Sequence, residues 1–483
     1  MHHPRFTSPL FTEGPHVLRP SPRGASPPRR AVVRVAQGRL RARSPRPRRV
    51  ARHQARPPAL RRHRVPAPRP GPSPRRQGPP DRCRAAEKRG YRGSSLTCPH
   101  CQQDARFKGY RPKGLLSILG PLTIERGYYH CPHCHHGHCP GAAAFGLDHS
   151  DLTSGAAELT TLAGTLESFA RASDVILPKM SGLSLAESTV ERTTAAIGGE
   201  LGRAVEAKVA FDEARAWDWH KDAEGMTCAY VSIDLTGVAK QGPGGAAAEG
   251  EMVAVGMVYN PVPEERRQWA DPGGRRPDWQ ARYVASLEGQ EAVAEPLRHT
   301  AGRVGMGGAQ RWIAVCDGGA GLEDLLRLHF GRLDVVILDF YHAFEHLGDF
   351  AKAWHPGDAA AAEAAHATWS HRLKHEGGAA ILAWLEGLDI AGNPRARPAW
   401  EEVVTYFRNQ CHRMDYPSYR ARGWQIGSGP VEAACKTVIG RRMKGSGMRW
   451  GHEGADAVGH LRALLLSEKG QWDAFWANRR SAA

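Results

Sequence analysis

The feature that most constrains this chain is a pair of short, wholly apolar segments that each run straight into an aspartate. From Trp312 to His346 the sequence is WIAVCDGGAGLEDLLRLHFGRLDVVILDFYHAFEH. Ile313 to Cys316 ends at Asp317 and is followed by a Gly-rich turn and an amphipathic helix; Val335 to Leu338 ends at Asp339, and another helix starts near Tyr341. Unbroken apolar runs of strand length alternating with helices predict parallel strands covered on both faces. Open α/β sheets place their ligands at the C-terminal ends of such strands, so each strand would deliver a carboxylate there. Taken singly, either Asp is explained by helix capping, for which Asp is a favoured residue. A chemical role needs more acids on the same edge.

Cys228 to Asp234 (CAYVSID) is a third such run, ending in an acid and the turn Leu235-Thr236-Gly237. Beyond a Gly/Ala-rich stretch expected to be a flexible loop (Lys240 to Gly250), Met252 to Asn260 and Arg282 to Ser286 suggest strands and Glu291 to Val304 a helix. Three strands, expected as an antiparallel meander, then strand–helix units: this is the order of a ribonuclease H-like fold. In that fold the acids ending the first and fourth strands lie side by side and can hold two divalent ions about 4 Å apart for in-line phosphoryl displacement. On that count Asp317 takes the fourth-strand position, while Asp339 and His342 open the next helix beside the site. Asp339, His342 and His346 share one helical face and are expected to support the site, a separate metal cluster being the alternative.

From Ala351 to about Phe407 the chain is Ala-rich and helical in outline, with Trp354, Trp369, Leu373, Leu382, Trp384 and Leu385 as expected core positions and Asn393-Pro394 as a break. Ser428-Gly429-Pro430 then gives good helix-start chemistry, which puts Glu432 in a first turn and Lys436 one turn further on the same face. Glu432 alone would be explained by the helix dipole. The next segment, KTVIGRRMKGSGMRW, carries Lys436, Arg441, Arg442, Lys444 and Arg449 without an acid. Together with Trp424 just upstream it is expected to contact phosphates beside the carboxylates.

Charge is unevenly spread. The first 80 residues hold 20 Arg against one acid, Glu13, and 18 of the 35 prolines; the other 403 residues hold 46 basic and 48 acidic side chains. The overall net charge of +17 therefore belongs to the leader, and nucleic-acid binding by the body has to rest on local patches. A Pro/Arg/Ser leader without apolar periodicity is expected to be disordered. It has three readings: upstream sequence translated from a start codon placed too early, a basic arm that holds phosphates, or a transit peptide, which its prolines disfavour. No apolar run approaches the roughly 18 residues of a membrane span.

Cys98-Pro-His-Cys101 and Cys131-Pro-His-Cys134 are two CxxC pairs with 29 residues between them. Each suits two corners of a tetrahedral Zn²⁺ site, and SILGPLTIERGYY between them looks like strands around a turn, as a zinc ribbon requires. A redox dithiol pair or a disulfide is the alternative, and nearby histidines and Cys139 leave the ligand set open. The remaining cysteines stand alone, as expected in a reducing cytoplasm. Between the ribbon and the first strand, Ser154 to Arg171 is expected to be a helix ending before Pro178. Ser184 with Glu187 suggests a capping box opening a second helix, the outline of a helix-turn-helix, with plain helical packing as the alternative. The expected divisions are thus 1–85 leader, 86–145 zinc ribbon, 146–222 helical DNA-binding segment, 223–350 first part of the core, 351–420 helical insertion and 421–483 the Glu helix, basic patch and last helix.

In order, the two CPHC elements with the GYYHC lead-in, SIDLTG, VCDGGAGL, ILDFYH and WQIGSGPVEAACK resemble the DDE transposases of bacterial insertion sequences, specifically the ISKra type, related to the broader Mutator-like group. The likeness covers roughly residues 90 to 470 and leaves the leader out. It implies a ribonuclease H-like core with an all-α insertion, and Asp234, Asp317 and Glu432 as ligands of Mg²⁺ (or Mn²⁺). Asp339-x-x-His342 matches an auxiliary acid-x-x-His element of Mutator-like enzymes; Leu235 stands where relatives often have Gly. It further implies cleavage at element ends to leave a 3′-OH, strand transfer into target double-stranded DNA, a homo-oligomer and a cytoplasmic location. A metal-dependent nuclease without joining activity and a noncatalytic DNA-binding protein are the alternatives.

Overall fold

The structure is a computed structural model that describes residues 90–141, 151–261, 280–468 and 470–482; the leader, and every reading placed on it, lies outside these. All the described residues fall in one compact unit. Among them no helix is long and apolar enough to cross a membrane.

The expected strands form one five-stranded mixed sheet. β5 (Cys228–Gln241), β6 (Ala247–Asn260) and β7 (Gln280–Ser286) make an antiparallel meander, and β8 (Arg311–Cys316) and β9 (Val335–Leu338) add in parallel beside β5, giving the order β7-β6-β5-β8-β9. The central strands are apolar on both faces because both are covered. On one face Ala229, Val231, Ile233, Ala314 and Cys316 pack with Val293 and Leu297 of the helix Gln290–Arg303 and with Leu322 and Leu326 of Leu322–His329. On the other, Tyr230, Ile313, Val315 and Ile337 pack with the helix Phe340–Trp354, the helical insertion and the Val431–Val438 region. Burying one such side chain contributes about 1.5–3 kcal/mol, so the sheet is the main store of stability.

Some expectations need correction. The stretch Lys240 to Gly250 is not mainly a loop: β5 and β6 pair as far as Gln241↔Ala247, and the turn needs only Gly244 and Gly245, both at positive φ. That hairpin end is mostly exposed, so it carries no burial pattern to betray strands. Likewise, the first helix, Ser154–Leu166, ends at the extended Glu167, and from the N-cap Ser168 the chain continues helically through Phe169–Arg171, the π-helical Ala172–Ile176 and Leu177–Ser181. Pro178 is therefore inside a helix. The capping box does not form either: Ala186 is the N-cap of Glu187–Glu206 and makes no side-chain cap bond. The Ser173 hydroxyl donates to the Leu185 carbonyl at 2.6 Å and Leu183 is buried, which holds the link in an extended form past Ser184. These helices pack on Leu461, Trp472, Phe475 and Trp476 from the C-terminal end.

A second sheet, β1 (Ser95–Thr97), β2 (Asp104–Ser117), β3 (Gly120–His130) and β4 (Gly137–His138), is an antiparallel ribbon in sequence order. The insertion is helical: Ala359–Glu376, Gly378–Glu386 and Arg397–Gln410. Trp369, Leu373 and Leu385 are buried and Trp354, Leu382 and Trp384 partly so, in the same core as the sheet.

Candidate functional site

The strand registers decide where the acids go. β5 runs beside β8 with Val231 opposite Ala314, and β8 beside β9 with Cys316 opposite Leu338. Carried on along the same registers, Asp234 falls level with Asp317 and Asp317 level with Asp339. Asp339 N–H extends the ladder by donating to the Cys316 carbonyl at 2.8 Å. Strand side chains alternate between faces, so Asp234 shares a face with Tyr230, and Asp317 with Ile313 and Val315. This is the face on which the helix Gly429–Ala434 packs, and Glu432 lies in its first turn. Three strands and one helix thus converge on a single edge of one face.

Both oxygens of Asp234 are held, one by the Leu235 N–H at 2.7 Å and the other by the Cys435 thiol at 3.5 Å. Burial pushes the Asp234 carboxyl above its ordinary range, and the charges of Asp317 and Glu432 push the same way, only partly offset by those two donors. Asp317 accepts from the Gly319 N–H at 3.0 Å and caps no helix, since the helix after it begins at Leu322 behind Gly321. Asp339 does cap: its Oδ1 accepts from Tyr341 N–H at 3.2 Å and from Ser428 N–H at 3.0 Å, and it is buried. The capping explanation therefore holds for Asp339 and fails for Asp317. Glu432 accepts from the Ser428 hydroxyl at 3.0 Å and pairs with Lys436 at 3.4 Å.

Among the described residues Asp234, Asp317 and Glu432 do not close into a group as tight as a bound metal would require, and neither does Asp339 with His342 and His346. The two histidine rings instead meet Tyr406 of the insertion, which stacks on His346 at 3.8 Å between centroids. The Tyr406 hydroxyl is buried without a hydrogen-bond partner and lies against Gly318, next to Asp317. Burial, with the Asp339 and Asp317 charges adding to it, raises its pKa well above that of an ordinary tyrosine.

Of the basic residues, Lys436, Arg441, Lys444 and Arg449 are exposed, and Lys444 Nζ reaches Thr236 Oγ1 at 2.6 Å, two residues from Asp234. Arg442 and Trp424 are not part of that surface. Arg442 is buried, donates to the Gly164 carbonyl at 2.9 Å and lies over the rings of Phe169 and Trp450. Trp424 is buried, with its Nε1 donating to Asp222. Counting charges along a segment misses this, because a helical turn aims Arg441 and Arg442 in different directions. Nor does counting charges find Cys435 and Tyr406. Cys435 was within reach of the helical repeat, three residues from Glu432; Tyr406 gives no local signal.

In the ribbon, Cys98, Cys101, Cys131 and Cys134 form a group whose sulfur atoms all lie within 4.8 Å of one another and can hold a metal ion such as zinc. The Cys98–Cys134 and Cys101–Cys131 separations are 3.7 and 3.5 Å. A tetrahedral site with Zn–S bonds of about 2.3 Å has edges of roughly 3.8 Å. Each pair sits in a like turn, with Gln102 and His135, the residues after the second cysteines, at positive φ. The backbone N–H of Cys134, with that of His133, lowers the Cys131 thiol to about 7, whereas burial and the neighbouring sulfurs outweigh the backbone donors at Cys101 and Cys134 and push those thiols up. Cys139 and the nearby histidines are not in the group.

No protein-family model matches the chain, and no curated protein matches it in sequence.

Proposed function

We propose that this chain is a DDE transposase: a ribonuclease H-like core with a helical insertion that cleaves and joins double-stranded DNA, preceded by a zinc ribbon and a helical segment. The observation that carries this reading is the shared register that sets Asp234 level with Asp317 on the face where Glu432 packs. The sheet order supports it too, being a meander with two parallel strands added beside its first member.

Asp234, Asp317 and Glu432 are an all-carboxylate donor set, suited to hard Mg²⁺ or Mn²⁺. Burial, with a smaller part from the Asp317 and Glu432 charges, raises the Asp234 carboxyl, and bound cations would favour its ionised form. When bound, two divalent ions lower the pKa of an attacking water or 3′-OH and stabilise both oxygens of an in-line displacement. The chain's own residues supply the rest. Leu235 N–H and Cys435 orient Asp234, Ser428 orients Glu432, and Asp339 fixes Ser428 to the start of the next helix. The exposed Lys436, Arg441, Lys444 and Arg449 offer charge to phosphates beside the acids. Zn²⁺ in the four-cysteine group holds the ribbon, and a homo-oligomer would bring paired DNA ends together.

The test is Mg²⁺- or Mn²⁺-dependent cleavage and joining of labelled element-end DNA by the chain started near residue 85. Asp317→Asn should lower both activities by on the order of 10³-fold. Asp339→Asn should keep most of them, because Asn also caps helices well. The reverse pattern would make Asp339 the second catalytic acid. Cleavage without joining would make the protein a nuclease, and DNA binding without metal-dependent cleavage a noncatalytic binding protein.

A further inference from the structure

We propose that the β2–β3 hairpin of the ribbon is a separate binding surface for duplex DNA, engaging the phosphate backbone through one cationic face. The register sets Arg106 opposite His130, Arg111 opposite Arg126 and Lys113 opposite Ile124. His130, Arg126 and Ile124 alternate along β3, so they and their partners share one face. Arg106 and Arg111 are five residues apart and would face opposite ways in a regular strand. They share a face because the register shifts between Phe107 and Tyr110, where Gly109 has φ 112°. Phe107, Tyr129 and Glu125 fall on the other face, and Phe107 and Tyr129 there join the small core around the cysteines. The bulge thus sorts Arg106, Arg111, Lys113 and Arg126 to one side, with Lys108 exposed at the bulge itself.

This arrangement is unfavourable for the free protein. Arg111 and Arg126 stand directly opposite each other, where like charges repel. Arg106, Lys108, Arg111 and Arg126 make no ion pair with a described residue, whereas Lys113 pairs with Asp151 at 3.1 Å. Buried Arg126 Nε has no hydrogen-bond partner, and the Arg111 guanidinium lies 3.4 Å above the Tyr128 ring, which limits its motion. The hairpin is also held at both ends. The cysteines fix one, and at the other Leu116 N–H donates to the Asp151 carbonyl at 2.8 Å while Thr153 N–H donates to Leu116 at 3.0 Å. The cationic stretch from Arg106 to Lys113 spans about 20 Å, and a two-stranded ribbon fits a major groove about 12 Å wide. A rigid row of cations in which Arg106, Lys108, Arg111 and Arg126 have no ion pair with a described residue is complementary to a regular polyanion. The surface lies on a different sheet from the carboxylates and does not depend on their acting on DNA.

The test measures duplex DNA binding by the full chain with zinc loaded, at several salt concentrations and without added Mg²⁺. Arg106→Gln/Arg111→Gln/Arg126→Gln should bind at least 10-fold more weakly, and the slope of log affinity against log salt should become shallower by about 3, near 0.9 per lost phosphate contact. The corresponding triple Lys variant should keep the slope. Lys108→Glu changes an exposed residue, and a shallower slope there, with zinc content unchanged, supports the surface even if the triple variant loses its metal. Unchanged affinity and slope in both Lys108→Glu and a zinc-loaded triple Gln variant would overturn the proposal, as would the same changes for single-stranded but not duplex DNA. Asp317→Asn removes no cation of the hairpin, so its salt slope should stay as steep as the parent's even where its cleavage is lost, and loss of catalysis and loss of this surface are read separately.

Discussion

At the residue scale, adjacent positions of one chemical type have opposite duties. Arg441 is exposed, whereas Arg442 is buried, its pKa lowered to about 10 chiefly by that burial. Arg442→Ala would leave the Gly164 carbonyl unpaired and a void between Phe169 and Trp450, at a cost of about 3–4 kcal/mol. Arg441→Ala should change stability by less than about 0.5 kcal/mol while weakening DNA binding. Chemical denaturation beside a binding titration distinguishes the two, and equal stability losses would put both side chains in the core. Asp234 carries the opposite kind of burden. Its folded carboxyl titrates above the unfolded value, so the folded state favours the protonated form. That advantage is present below the unfolded pKa and is lost as pH rises through the folded one. Asp234→Asn removes the penalty on the charged form, so at pH 7 the variant should melt above the parent while losing cleavage. Mg²⁺ should then raise the parent's melting temperature and the variant's much less. A variant less stable than the parent at pH 7 would show that Asp234 is stabilising as an anion.

At the element scale, the ribbon has almost no core of its own: beyond Cys98 and Cys131, its fully buried apolar cluster contains only Ala105 and Tyr129. A metal held by the four cysteines would therefore supply most of its folding free energy, about 10–16 kcal/mol in small zinc modules. Chelation, or Cys131→Ala, should abolish hydrogen-exchange protection in β1–β4 while β5, β6 and β8 keep theirs. Persistent protection in β2 and β3 without metal would mean the contacts of Leu116 with residues 151–153 suffice. Elements of this kind were legible in the sequence because chemistry marks them locally: paired CxxC spacing for the ribbon, and apolar runs stopped by Asp for β5, β8 and β9. The level placement of Asp234 and Asp317 was legible only through the likeness of the strand order to a ribonuclease H-like fold; apolar runs show that both faces are covered but not which strands pair. What was not legible had no local marker. The extended link at Leu183–Leu185 overrides a good Ser-x-x-Glu signal through a hydroxyl eleven residues upstream of Ser184. The β5–β6 hairpin tip is exposed and so lacks alternation, and Tyr406 reaches the acids from a helix nearly ninety residues beyond Asp317.

At the scale of the whole molecule, chain order and spatial order part company. The N-terminal helices are completed by the C-terminal end: Leu461, Trp472, Phe475 and Trp476 share a core with Leu177, Ile197 and Leu201. The helices Glu187–Glu206 and His452–Leu466 cross so closely that a Cβ on Gly198 would lie 2.4 Å from the Ala457 carbonyl oxygen. Arg479 adds an ion pair to Glu200 at 3.0 Å. His452–Leu466 also packs on β7, through Asp456, which accepts from the Ser286 hydroxyl and the Leu287 N–H. One helix therefore joins the N-terminal helical segment to the edge of the sheet that carries the acids. The segments expected at 146–222 and 421–483 should then lose structure together. Trp476→Ala, at a site with no exposure, should cost about 3–5 kcal/mol. If the cores unfold as separate units, exchange protection should fall in Ser154–Leu166 and Glu187–Glu206, more than 250 residues away in sequence, before it falls in β5 and β8. Loss confined to Gln471–Ala482 would show that the last helix is an accessory. Simultaneous loss across the five-stranded sheet would mean that the helix His452–Leu466 transmits the damage.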